Sequence, residues 1–168
     1  MRRITPLVLV LLACHSAAAQ SPSTASPDRD AVLAVVDTFM RWVSTSDTAT
    51  LQSFRFEGAA TTIAAPGPEG RMQITRRPFD PAAPAAGPRP ELRERYWDPT
   101  VLLRGSIAVV WAPYEFWRDG KTTHCGIDVF DLVKQDGTWR VANIMFTVEP
   151  QACPELRPRD PATIRPTP

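Results

Sequence analysis

Residues 100–148, TVLLRGSIAVVWAPYEFWRDGKTTHCGIDVFDLVKQDGTWRVANIMFTV, decide how this chain folds. β-Branched and aromatic residues dominate the run, and Asp119-Gly120 and Asp136-Gly137 interrupt it. An Asp-Gly pair accepts the positive φ angles of a tight hairpin turn. The run therefore predicts three antiparallel strands: Thr100 to Trp117, Thr122 to Val133 and Thr138 to Val148. With Arg118 facing Lys121, strict alternation puts Glu115 opposite His124 and Trp111 opposite Asp128. A two-residue or a four-residue loop at the second turn gives the same parity. One face is then expected to carry Trp111, Glu115, His124, Asp128, Phe130, Asn143, Met145 and Thr147. The other carries Ala108, Val110, Ala112, Cys125, Ile127, Val129, Ile144 and Phe146. Neither set is solvent-like, so both faces need cover.

Upstream of this block the pattern changes period. Val32, Val35, Val36, Phe39, Met40 and Val43 recur at three- and four-residue spacings and predict an amphipathic helix, with Asp28 or Asp30 as its cap. Ser44 to Asp47 ends it, and Asp47 caps a shorter second helix through Leu51 and Phe54. Ala60 to Ala64 and Met72 to Arg76 read as a small hairpin. Pro78 to Pro90 is a Pro/Ala linker, unable to hold a helix or a ladder. Glu91 to Trp97 reads as two helical turns before Asp98-Pro99 forces an extended backbone. Helices at the front and strands at the back make an α+β domain, with helices on one side of a sheet. The second, Ala/Val/Ile-rich face then suits sheet-to-sheet packing in a homodimer, or cover by the Pro-rich segments of the same chain.

The ends are processing and solvation signals. Arg2 and Arg3, the apolar run Leu7 to Ala13 and the small residues Ala17-Ala18-Ala19 predict a signal peptide over 1–19, followed by a linker over 20–27. A domain over 28–150 and a Pro-rich, disordered tail over 151–168 complete the expected organisation. The expected location is outside the cytoplasm, periplasmic or secreted. Leu11-Leu12-Ala13-Cys14 offers the alternative of a lipoprotein anchored at Cys14. Cleavage after Ala19 removes Cys14 and leaves Cys125 and Cys153, an even pair in an oxidising compartment, which predicts a disulfide. The bridge closes a loop of about 29 residues and contributes roughly 3–4 kcal/mol in the chain-entropy picture.

Charge excludes more than it assigns. The formal net charge of +1 becomes −1 without the two leader arginines, so no global pull toward nucleic acid or an anionic surface is implied. With His15 lost to the leader, one histidine remains, and no Cys/His spacing suits a metal. No phosphate loop, nucleophile elbow or dinucleotide fingerprint is present, and no cofactor is expected.

Arg104-Gly105-Ser106-Ile107-Ala108-Val109-Val110-Trp111-Ala112-Pro113-Tyr114-Glu115-Phe116, then Asp119-Gly120, His124-Cys125-Gly126-Ile127-Asp128-Val129-Phe130 and Gly137-Thr138-Trp139-Arg140-Val141 resemble the nuclear-transport-factor-2-like superfamily. The likeness is to its SnoaL-like and lumazine-binding-like bacterial branches and spans Asp28 to Val148. It implies a cone-shaped, cystatin-like α+β roll, with N-terminal helices on the concave face of a curved antiparallel sheet and a cavity between them, often dimeric through the other side. It does not specify function, because the superfamily includes isomerases, hydrolases, cyclases and binding proteins.

Within that frame the Trp111 face is the expected cavity lining. Glu115, His124 and Asp128 are the candidate acid/base groups for moving a proton or activating water. Trp111, Phe130, Met145, Asn143, Thr147 and Tyr96 are the candidate ligand contacts, the apolar ones as walls and the polar ones as anchors. The expected ligand is a small, mostly apolar organic molecule. Solvated ion pairing for Glu115 and His124, and core roles for Trp111 and Trp139, are the structural alternatives.

Overall fold

A computed structural model describes residues 26–80 and 88–166. The expected signal peptide, Cys14 and most of the Pro/Ala linker lie outside them. Helix α1 spans Pro27–Thr45 and buries Val32, Leu33, Val36, Phe39, Met40 and Val43. Its cap is Ser26, whose hydroxyl accepts from Arg29 N, and not Asp28 or Asp30. Pro27 suits this start because the first-turn amide it lacks has no helical partner anyway. Asp28 is freed to pair with Lys134 at 2.6 Å and to accept from Trp139 Nε1 at 3.2 Å, tying α1 to the sheet. Helix α2, Thr48–Phe54, is capped by Asp47 as expected.

Seven strands follow: β1 (Arg55–Pro66), β2 (Met72–Pro78), β3 (Leu92–Tyr96), β4 (Thr100–Arg104), β5 (Ile107–Arg118), β6 (Lys121–Gln135) and β7 (Thr138–Thr147). Their order is β2-β1-β7-β6-β5-β3, with β4 also on β5. The sheet is mixed, not wholly antiparallel, because β1 runs parallel to β7. The architecture is α+β, with helices and sheet sharing one core.

Three local readings are corrected. Glu91 to Trp97 is not helical; Leu92–Tyr96 forms β3 against Tyr114 to Arg118 of β5. Its residues alternate, Glu94 and Tyr96 buried and Arg93 exposed, and a long neighbouring strand satisfies its backbone. The expected first strand is two, turned at Gly105 with φ 56°. The tail is not disordered. It carries α3 (Cys153–Leu156) and a disulfide from Cys153 to Cys125. Arg165 then exchanges backbone hydrogen bonds with Tyr96 at 2.8 and 2.7 Å. Covalent and charge-assisted anchors hold a segment that has no apolar period of its own.

The decisive difference is in register. The two Asp-Gly turns form as expected, with Arg118 opposite Lys121 and Gln135 opposite Thr138. Each hairpin then contains a one-residue bulge. Trp117 pairs with Thr122 but Phe116 with His124, leaving Thr123 over. Asp131 pairs with Asn143 but Leu132 with Val141, leaving Ala142 over. One extra residue exchanges the two faces beyond it. Glu115 therefore lies opposite Cys125, not His124, and Trp111 opposite Val129, not Asp128. The core face combines Ala108, Val110, Ala112 and Tyr114 with Phe130, Leu132, Val141 and Ile144, which strict alternation divides between the two faces. Much of the expected dimer face is thus roofed by the protein's own helices. The outer face instead exposes Ile107, Trp111 and Met145.

Candidate functional site

A cavity of about 310 Å³ lies between the C-terminal half of α1 and the sheet. Phe39 and Trp42 of α1, Phe79 after β2, Phe116 of β5 and Phe146 of β7 form an aromatic enclosure. The aromatic walls hold one another in place: Phe79 lies 5.9 Å from Phe39 and 5.5 Å from Trp42, ring centre to ring centre. Arg77 and Asp80 line the solvent-exposed rim, and Asp80 pairs with Arg55.

The floor is polar in a specific way. Asp128 of β6 is 1% exposed, and neither carboxyl oxygen has a hydrogen-bond partner among the described residues. Glu94 of β3 is 9% exposed and lines the same cavity. Burial pushes the Asp128 carboxyl well above the ordinary carboxylate range, and the neighbouring Glu94 pushes it further. Burial also raises Glu94, to about 8, against the lowering effect of its polar contact with Asp128. Two acids that cannot both ionise cheaply must hold a proton at neutral pH.

His124 lines the same cavity. Its ring stacks on Phe116 at 5.2 Å and meets Tyr114 edge-on at 5.7 Å, and Nδ1 lies 2.8 Å from the Thr123 hydroxyl. Burial lowers its pKa, so the imidazole is neutral near pH 7. Tyr114 donates to the Thr147 carbonyl at 2.7 Å, and burial, then Asp128 and Glu94, raise its pKa. Gly126 makes this placement possible. A Cβ there would overlap the Thr147 carbonyl and come within 2.8 Å of the Tyr114 ring. An interior strand glycine is the sequence sign of such close approach.

Of the residues expected at the site, His124 and Asp128 are brought together at the cavity. Glu115 is not. It is fully buried on the opposite face, accepting from Arg95 at 2.9 Å, from Thr122 at 2.7 Å and from Arg157 of the tail. Burial alone would raise its pKa, but these hydrogen bonds prevail and hold it low. Trp111 and Met145 are exposed on the outer face, where Asn143 meets Asp131 at 3.5 Å. Thr147 Oγ1 accepts from Ile127 N at 2.9 Å and donates to Glu149 at 2.6 Å. Phe130 is core, 5.0 Å from Phe39. Tyr96 is core too, donating to Asp37 at 2.8 Å beside Arg165. Glu94, Tyr114 and the five aromatic walls were not anticipated. Alternation through Leu92, Glu94 and Tyr96 was the available signal for Glu94.

No family model and no curated protein matches this chain. Solved structures do. A nuclear-transport-factor-2-like protein from Cytophaga hutchinsonii is 19% identical, covering 73% of this chain and 99% of its own, with TM-score 0.57. One of unknown function from Silicibacter pomeroyi is also 19% identical, over 73% and 96%, with TM-score 0.51. A protein of unknown function with a cystatin-like fold from Nostoc punctiforme is 10% identical, over 76% and 95%, with TM-score 0.52. The domain therefore has the fold of nuclear-transport-factor-2-like proteins. At these identities the likeness extends to the fold and no further.

Proposed function

We propose that this domain binds a small organic ligand with an apolar body in the hollow between α1 and the sheet, outside the cytoplasm, in the manner of SnoaL-like domains. The observation carrying this reading is an aromatic-walled cavity of about 310 Å³ whose floor holds the unpartnered, buried Asp128. A buried carboxyl without donors costs free energy that a structural role does not return. A volume near 300 Å³ suits a compact ligand. Native mass spectrometry of the purified protein tests the reading. A retained small molecule is expected, with weaker retention in His124→Ala, and an empty protein that stays empty with every ligand offered would defeat it. The Cys125–Cys153 disulfide agrees with an exported protein.

A second reading, an isomerase or hydrolase, is favoured by one observation: Asp128, a carboxyl with raised pKa, and His124, a neutral imidazole, line one enclosed space. That combination can accept and return a proton at a carbon acid or activate water. Glu115, saturated by two arginines, has no part in it. Turnover lost in both Asp128→Asn and His124→Ala, with retained ligand binding in one of them, would favour the enzyme.

A further inference from the structure

We propose that the occupant of this cavity is an organic ammonium ion, a primary amine on a compact apolar or aromatic body, whose N–H groups satisfy Asp128 and Glu94. The proposal rests on the cavity reading above and adds the charge of the ligand. Three observations converge on a cation. Both Asp128 oxygens are buried and meet no donor among the described residues beyond the proton that the pair with Glu94 itself holds, and once ionised a carboxylate is an acceptor only. A second buried carboxyl, Glu94, lines the same cavity, so the floor has an excess of acceptors. The walls are aromatic, and the negative faces of such rings attract ammonium groups.

The remaining charged and titratable groups do not cancel this bias. From the β2 end, Arg77 is exposed at the rim, and Asp80 is engaged by Arg55. From β5, Tyr114 uses its hydroxyl on the Thr147 carbonyl, with Glu149 beyond it. From β6, His124 is neutral. Helix α1 supplies Phe39, Trp42 and Val43 to the lining and is followed there by its cap Ser46, β1 supplies Thr61, and β7 supplies Ile144 and Phe146, with no charge among them. An anionic ligand would place a further carboxylate against two acids. A neutral alcohol offers one donor and no charge to offset the ionisation of the pair.

Binding also moves a proton, and its sign is determined. Without ligand the two acids retain protons through neutrality, since both titrate above their ordinary range. An entering ammonium favours their ionised forms, so about one proton leaves to solvent, and affinity rises with pH until the pair is already ionised. A simple alkylammonium, like a lysine side chain, stays charged to about pH 10.

The test is calorimetric titration of the purified, oxidised protein with 2-phenylethylamine, 2-phenylethanol and 3-phenylpropanoate at pH 5.5 and 8. The amine is expected to bind at least tenfold tighter than the alcohol at pH 8, with the acid weakest. Its affinity should fall at least tenfold at pH 5.5, and heats in two buffers should report proton release. Asp128→Asn should lose tenfold or more in amine affinity while alcohol affinity is unchanged. Should that variant fail to fold, Glu94→Gln serves for the same comparison. An alcohol that binds as tightly as the amine overturns the ammonium assignment and leaves the cavity reading standing. Amine affinity indifferent to both substitutions overturns it too. Binding by none of the three overturns the ammonium assignment, and the cavity reading then stands or falls on whether native mass spectrometry finds a retained molecule.

Discussion

Two buried acids of the same β5–β6 hairpin have opposite fates. Glu115 faces outward from the core and is fully engaged by Arg95, Arg157 and Thr122. Asp128 faces inward, with Glu94 for company and no donor at either oxygen. The first acid is finished: every lone pair that matters is used, and the result is a clamp fastening the C-terminal tail to the sheet. The second is unfinished, and an unfinished buried acid is where a ligand has something to supply. Both side chains are shielded from water, Glu115 by arginines that themselves reach solvent and Asp128 by the floor of the cavity. Compensation is what separates a structural carboxylate from a candidate binding group.

The comparison breaks most visibly if the outer acid loses its partners. Replacing both Arg95 and Arg157 by alanine leaves Glu115 buried and uncompensated, which should cost about 3–5 kcal/mol. Chemical denaturation would show it; a loss below about 1 kcal/mol would mean that Glu115 reaches water. The adjoining disulfide should come next. Cys153→Ser, or reduction of the Cys125–Cys153 bridge, should destabilise by roughly 3–4 kcal/mol, the chain-entropy value for a loop of that size. An unchanged melting temperature under reducing conditions would contradict it.

The inner acids should behave in the opposite sense. Asp128→Asn removes a group whose ionisation burial and Glu94 both oppose, so it should lessen the loss of stability of the empty protein toward alkaline pH, by about 1–2 kcal/mol, with little effect at pH 4. The pH dependence separates the two sites by sign. Glu94 and Asp128 titrate higher in the folded than in the unfolded chain, so the folded state holds more protons. Their contribution is greatest at low pH and declines as pH rises from about 4 toward 8. Glu115 titrates lower when folded, so its contribution is present above the unfolded carboxylate pKa and is lost as pH falls below it. Glu94→Gln should flatten the alkaline decline without altering the acid limb. A decline that persists in that variant and in Asp128→Asn would assign it elsewhere.

The smallest expected effect is at the rim of the site. His124 stacks on Phe116 without a charged partner, so His124→Ala should cost under about 1 kcal/mol of stability and act mainly on ligand retention. Equal retention by the variant and the parent would remove this histidine from the binding surface.

The sequence by itself determined whatever depends on neighbours along the chain. The α1 stripe, the Asp47 cap, the Asp-Gly turns and the alternation on either side of each bulge are set by dihedral preference and period, and all are present. The pairing of Cys125 with Cys153 was also legible, because Cys14 falls in the expected leader and two cysteines are left. Tertiary structure decided which halves of those strands share a face. The bulges at Thr123 and Ala142 have no distinctive local residue, unlike a glycine-marked bulge, and each exchanges the faces beyond it. They put His124 and Asp128 under α1 with Tyr114 and Phe116, and left Glu115 to the tail. Glu94 joined them only because β5 offered its segment a backbone ladder that an isolated peptide lacks. Registers and ladders are relations between distant segments, so no reading confined to neighbouring residues contains them.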